Sequence, residues 1–337
     1  MKRTKTILVG TTAVAAAAGV AFAVLPAFAA DGNSSAGHTG HGNSGASIGV
    51  QSGGGSGTDG DAALFVASLR GANEVPVQGG PAVGDRDGAA LEFVKVDGDK
   101  VSVAVKFRGV DKPTALHIHQ GAKGANGGIK VDFGEVLTKG KTKSKGWTGA
   151  VTGTVTVKDA AVLDAFKKDP NGFYANLHTA EFPGGAVRGQ FHKVTNSFRF
   201  DRALSNVQAS VIKGKQIYEC KKGDDGTFSF QQRDVRAVLG GAIAHSFIAP
   251  NSGTPQWIAP DRSAVTGKLI SKVANGEKNI PELDLQATQS GKKRGLFAGT
   301  QEIFRLNTVG GVAPAGSCEQ GTIAGVPYGA DYVFIKK

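Results

Sequence analysis

From Ala62 onward the chain is written in short runs whose apolar residues fall on every second position, separated by glycine-rich turns. That pattern points to sheets as the main structure of the chain. "VSVAVKF" puts Val101, Val103, Val105 and Phe107 on one face, and Asp97-Gly98 before it is a hairpin turn signal. Further strands are expected over 62–70, 88–96, 114–119, 128–137, 147–157, 173–179 and 186–192. One short helix is expected over 160–168, with Asp159 as N-cap, Val162 and Phe166 four apart and Pro170 beyond its end. Many strands with one helix predict a Greek-key β-sandwich over 62–193.

A second β-rich block is expected over 205–337, with strands in "KQIYECKK", "TFSFQQ", "AIAHSFI", "ELDLQAT", "FAGTQEIFRL" and "DYVFIKK". The boundary is placed in "VTNSFRFDRALS". The fold class is therefore all-β with two β-rich domains, which 337 residues can supply with real cores.

The first 60 residues read differently. Lys2, Arg3 and Lys5 precede an apolar run that ends in Ala27-Phe28-Ala29, the form of a secretory signal peptide over 1–30, cut after Ala29 or Ala30. The run is mostly Ala, Gly and Thr, so it is taken as cleaved, leaving no membrane span. No cysteine near the cut offers lipid attachment. Residues 31–60 are Gly/Ser-rich and cannot repay the entropy of ordering, so they read as a disordered tether in which His38 and His41 are incidental. Localisation is expected to be secreted or extracellular. There, Cys220 and Cys318, the two cysteines of the chain, are expected to form one disulfide that ties the second domain, with a pair of free thiols as the alternative.

Lys2, Arg3 and Lys5 account for three of the net +11 charges, leaving +8 on the exported chain. Anionic cell-envelope polymers or an extracellular protein are the partners this suggests. Nucleic acid is excluded by the lack of any reader motif and by export. The densest basic stretches, "TKGKTKSKG" and "KKR", read as solvated loops.

One constellation carries chemistry. In "TALHIHQ" the pair Leu116 and Ile118 shares one face, and His117 and His119 share the other. The phase recurs in "FYANLHT", where Tyr174, Asn176 and His178 oppose Phe173, Ala175 and Leu177. It recurs again in "AVRGQFH", where Arg188, Gln190 and His192 oppose Val187 and Phe191. "AEFPGG" joins the last two runs as a hairpin, so their polar faces coincide and His178 is expected close to Arg188. If the HxH strand joins that sheet, His117, His119 and His178 converge, a ligand set for Cu(II) or Zn(II) with Asn176, Arg188 and Gln190 around it. The competing reading is a polar cluster that fixes "GAKGANGG" on the sheet. Both stay open.

"FVASLRGANEVP", "LHIHQGAKGANGGIKVDF" and "YANLHTAEFPGGAVRGQF" resemble the three hallmark blocks of the CHRD domain, first named from chordin and common in secreted microbial proteins. The resemblance implies an extracellular β-domain with an adhesion or interaction role and no established enzymatic activity. It also implies a Glu74–Arg188 ion pair. Pro76 is followed by Val77 where the family has a second proline. The HxH strand and the Gly-Gly-x-x-Arg-Gly turn also resemble copper-zinc superoxide dismutase, which would make the three histidines ligands and Arg188 an anion guide. The further histidines of that enzyme have no counterpart after "HIHQG".

"GKQIYEC", "HSF", "WIAPDRSAVTGK", "FRLNTVGGVAPAGSC" and "VPYGADYVF" are similar to a family of uncharacterised secreted domains. Asp261-Arg262-Ser263 stands where that family has Asp-Gly-Ser, so Arg262 must avoid a positive φ or bear its cost. Tyr218, His245, Trp257 and Asp261 are candidates to line a cleft, with core and turn roles as the alternative. Trp147 or Trp257 would serve a glycan-binding module.

The GxSxG match at Gly45 to Gly49 falls in the Gly/Ser-rich stretch rather than between a strand and a helix, no phosphate-cradling loop or HExxH helix occurs, and an oxidised Cys220 is no nucleophile. No catalytic residue is assigned. The chain reads as a secreted or envelope-associated binding or structural protein rather than an enzyme. The alternative is a Cu or Zn protein with redox or hydrolytic activity at the three histidines.

Overall fold

The computed structural model describes residues 62–337, which belong to one compact unit. The expected signal peptide and the tether with His38 and His41 lie outside the described residues. The rest is a curled sheet followed by a closed barrel.

The sheet is built from β1 (Ala63–Arg70), β2 (Ala89–Asp97), β3 (Lys100–Arg108), β4 (Pro113–Gln120), β5 (Ile129–Asp132), β6 (Lys141–Thr142), β7 (Gly149–Thr156), β8 (Phe173–Thr179), β9 (Val187–Gln190) and β10 (His192–Val194). Their order is β5-β4-β8-β9-β1-β2-β3-β7-β6, with β10 also on β1. The two layers expected of a Greek-key sandwich are thus halves of one sheet, joined where β9 meets β1 at Arg70 and Arg188. The halves share one core, in which Leu116 and Leu177 of one meet Val94 and Val103 of the other.

Helix α2 (Ala160–Lys168) plugs that core. Asp159 accepts from the amides of Ala161 and Val162, as its N-cap position predicts. Leu163 and Phe166 are the buried pair, and Phe166 stacks on Phe65 at 4.3 Å. The strand expected over 128–137 stops at Asp132, whose carboxylate caps the Gly134 amide at 2.7 Å and turns the chain into a second helix, α1 (Gly134–Lys139). Val136 and Leu137 of α1 enter the core in place of strand residues.

The barrel closes through β11 (Val207–Lys222), β12 (Phe228–Leu239), β13 (Ile243–Phe247), β14 (Pro255–Ile258), β15 (Ala264–Val273), β16 (Glu282–Gln289), β17 (Thr300–Gly310) and β18 (Ile323–Lys336). Closure leaves the sheet no free edge, because β18 pairs back onto β11. Cys220 and Cys318 are bonded, 98 residues apart, which links β11 to the segment before β18. The strands β14 and β15 fall outside the sequence expectation.

The outer face of β1 to β3 does not meet solvent. Leu64, Val66, Leu91 and Phe93 pack on Phe304, Leu306, Val333 and Ile335 of the barrel wall. That is why "ALFVASLR" is apolar at almost every position where a half-exposed strand would alternate.

Candidate functional site

The antiparallel register of β4 on β8 sets His117 opposite Asn176, Ala115 opposite His178 and His119 opposite Tyr174. Opposed residues share a face, so all three histidines stand on the side away from Leu116 and Ile118, which are 0% and 1% exposed in the core. One ring nitrogen from each histidine lies within 4.8 Å of those of the other two.

Each ring also has a second nitrogen with a defined acceptor. His119 Nδ1 lies 2.9 Å from the Gly127 carbonyl, and His178 Nδ1 lies 3.0 Å from the Pro183 carbonyl. A carbonyl only accepts, so both Nδ1 atoms carry the proton and both Nε2 atoms are bare in the neutral rings. His119 Nε2 is buried without a partner. His117 faces Asp132 through Nε2 at 3.6 Å and His178 Nε2 through Nδ1 at 3.3 Å. The proton on His117 Nδ1 can be donated to the bare His178 Nε2, while the exposed Asp132 carboxylate stays beyond hydrogen-bond reach. Burial, then the charge of His178, pushes His117 down to about 4, so a second proton is not held at neutral pH. Burial likewise lowers His119 and His178. Neutral imidazoles with bare nitrogens turned toward one another are what a transition-metal ion binds.

The glycine-rich stretch after the HxH strand folds back to deliver the Gly127 carbonyl. A Cβ on Gly127 would come within 1.6 Å of the Gln120 carbonyl oxygen, so only glycine allows the approach. Arg188 holds the same loop: its guanidinium donates to the carbonyls of Ala122 and Ala125 at 3.1 and 2.7 Å and to Asn126 Oδ1 at 3.0 Å. It lies 3.4 Å from the Tyr174 ring centroid, and Tyr174 stacks on His119 at 4.8 Å. Gln190 adds bonds to the carbonyls of Gly121, Asn171 and Phe173. The polar face is therefore roofed, and Tyr174, Asn176 and Arg188 are buried on it.

Two expectations change. His178 is not beside Arg188, because the β8–β9 register pairs Asn176 with Arg188 and leaves His178 one pleat further on. The Glu74–Arg188 pair is an attraction through space, since the hydrogen bonds of Arg188 go to the loop. Burial pushes Glu74 up to about 8 against the pull of Arg188 and Asn176, and its Oε1 has no partner.

In the barrel, Tyr218, His245 and Trp257 line one cavity. Asp261 does not: it caps its own turn, accepting from the Ser263 amide and hydroxyl and from the Leu296 amide. Arg262 bears the cost of φ 68° there. Trp257 is 1% exposed and offers no platform to a polymer. Trp147 has Lys106 and Arg108 5.1 Å from its ring centre. Asp132 beside the histidines and Arg305 in the cavity escaped the sequence reading. Alternation carried the signal for both, since Asp132 follows buried Val131 opposite the HxH strand and Arg305 sits between Phe304 and Leu306.

Among the described residues no helix is long and apolar enough to cross a membrane. Comparison with curated proteins and with solved structures gave no match. Residues 65–191 match the CHRD domain family, which spans the three-histidine face, and residues 237–336 match a protein family of unknown function, DUF3455, which begins inside β12. The chain thus joins a CHRD domain to a domain of an uncharacterised family, with a β-rich fold in both.

Proposed function

We propose that this is an exported metal-binding protein in which His117, His119 and His178 hold one Cu(II) or Zn(II) ion. The observation that carries the reading is the convergence of three imidazoles whose facing nitrogens lie within 4.8 Å of one another, with His119 Nε2 buried and unpartnered among them. A cation between the rings gives the orphaned His119 Nε2 a partner. Two nitrogens already stand 3.3 Å apart, close to the roughly 3.3 Å that tetrahedral coordination at about 2.05 Å requires. The third closes by a small ring rotation. The acceptors at Gly127, Pro183 and Asp132 supply the outer bonds that orient ligating imidazoles.

Three protein ligands leave the ion an open position for water or an exogenous ligand. Export rests on the amino-terminal sequence and is in keeping with the disulfide. The protein is purified without an affinity tag, dialysed against Cu(II) or Zn(II), and its bound metal quantified. One equivalent is expected, accompanied by a rise in Tm and lost in the His117→Ala, His119→Ala double variant. A metal-free protein whose Tm ignores both ions and chelator refutes the site, and leaves the histidines as part of the polar cluster that fixes the loop.

A further inference from the structure

The barrel encloses a second candidate site, remote in sequence from the histidines. Pleat alternation on β17 sends Ile303 and Arg305 inward while Phe304 and Leu306 pack against the sheet, and on β18 Tyr328, Tyr332 and Phe334 turn inward. An eight-stranded barrel has an interior that side chains just fill or that holds one small ligand. Here the filling is incomplete. A cavity of about 680 Å³ remains, within the roughly 300–1,000 Å³ of pockets that bury small molecules.

Its walls are mostly apolar, with Tyr218, Phe247, Trp257 and Tyr332 supplying aromatic faces. Two buried donors on the same lining meet no acceptor: Trp257 Nε1 and Gln216 Nε2, each in a side chain 1% exposed. A buried donor left without an acceptor is costly. Arg305 is the cation set among these groups. Its Nε and Nη2 both donate to the Pro281 carbonyl, and among the described residues it has no carboxylate within ion-pair distance. It lines the same cavity, where its charge is felt by Tyr218, His245, Tyr328 and Tyr332. Burial, with that charge assisting, keeps His245 neutral, so it adds no second cation.

An apolar wall, one guanidinium without a carboxylate and two idle donors describe a complement. We propose that the barrel binds a small apolar carboxylic acid, its hydrocarbon part against the aromatic wall and its carboxylate toward Arg305. Of the two cations on the lining Lys268 is exposed and Arg305 partly buried, so one charge sits within the wall, which suits a monocarboxylate better than a multiply charged phosphate; the mainly apolar surface disfavours a sugar.

The test uses the full chain carrying Trp147→Phe, so that Trp257 is the one indole left to report. Decanoate and 1-decanol are titrated against its fluorescence. Decanoate is expected to bind saturably at one equivalent and about tenfold or more tighter than the alcohol, the discrimination that one charge-assisted contact gives. Arg305→Gln should erase the preference while leaving alcohol binding in place. Should that variant not fold, the unaltered Arg305 protein decides the matter by pH: acid binding must weaken once decanoate itself is protonated, and decanol binding must not. No saturable signal with either probe, equal affinity for both, or an acid preference that survives Arg305→Gln or protonation of the acid overturns the proposal.

Discussion

His192 of the sheet faces Glu282 of the barrel across 3.1 Å, and both side chains are buried, 9% and 6% exposed. The same carboxylate accepts from Lys123 Nζ and from the Asn307 amide, each at 2.9 Å. Lys123 belongs to the loop that covers the histidines, so one barrel carboxylate ties down both the end of the sheet and the roof of the candidate metal site. Burial alone would raise Glu282, but His192 and Lys123 outweigh it and hold the carboxyl at about 2.

The consequence is acid lability at this seam. The unfolded carboxyl titrates at 4.5 and the folded one at about 2, so between those values the unfolded chain binds the extra proton. The contribution is whole above pH 4.5 and fades as pH falls toward 2. Glu282→Gln should cost about 2–3 kcal/mol at pH 7 and flatten the stability profile over that window, read by urea unfolding at stepped pH. An unchanged profile would mean the pair contributes nothing net.

Glu92 gives the opposite slope. It sits on β2 between Ala90 and Val94 of the core, fully buried, with both carboxyl oxygens lacking a partner, and burial pushes it up to about 8. Between 4.5 and about 8 the folded chain holds a proton that the unfolded chain releases, so stability declines through that range by about 1.4 kcal/mol per pH unit. Glu92→Leu, close in volume, should raise the unfolding free energy at pH 8 by several kcal/mol and remove the slope. A destabilised Leu variant would show that the carboxyl has a partner that the structure lacks.

What the sequence revealed and what it hid follow from the same pleat. Alternation was enough to set His117, His119 and His178 opposite Leu116 and Ile118, because a strand has only two faces. It could not give the register, and one pleat separated the expected neighbour Arg188 from His178. β15 was illegible because Leu269 and Ile270 are exposed and adjacent, which blurs the apolar period. That the two halves join into one curled sheet was not legible, because hydrogen bonding between β9 and β1 runs through a single residue pair that no local pattern announces. Glu92 inside an otherwise apolar strand ran against the pattern altogether.

The Cys220–Cys318 bridge closes a loop of about a hundred residues through most of the barrel. In the chain-entropy account such a loop destabilises the unfolded state by about 4–5 kcal/mol. Cys220→Ala with Cys318→Ala, or reduction of the parent, should lower the unfolding free energy by most of that amount while leaving the sheet folded. Loss of under about 1 kcal/mol would show that the unfolded chain already keeps its two cysteine segments close.

Arg188 joins the loop to the candidate metal site through a stack: guanidinium on Tyr174, Tyr174 on His119. Arg188→Lys keeps the charge but loses the planar fork that reaches Ala122, Ala125 and Asn126 together. The loop over residues 121–128 should then exchange its amide hydrogens faster, and the Gly127 carbonyl should no longer fix the His119 ring. Such outer partners typically set metal affinity by about 10–100-fold. Cu(II) or Zn(II) binding by the Lys variant should weaken within that range, and its Tm without metal should fall by a few degrees. Faster exchange with unchanged metal affinity would separate the two roles: the arginine would hold the roof, and the ligand geometry would come from the strands alone.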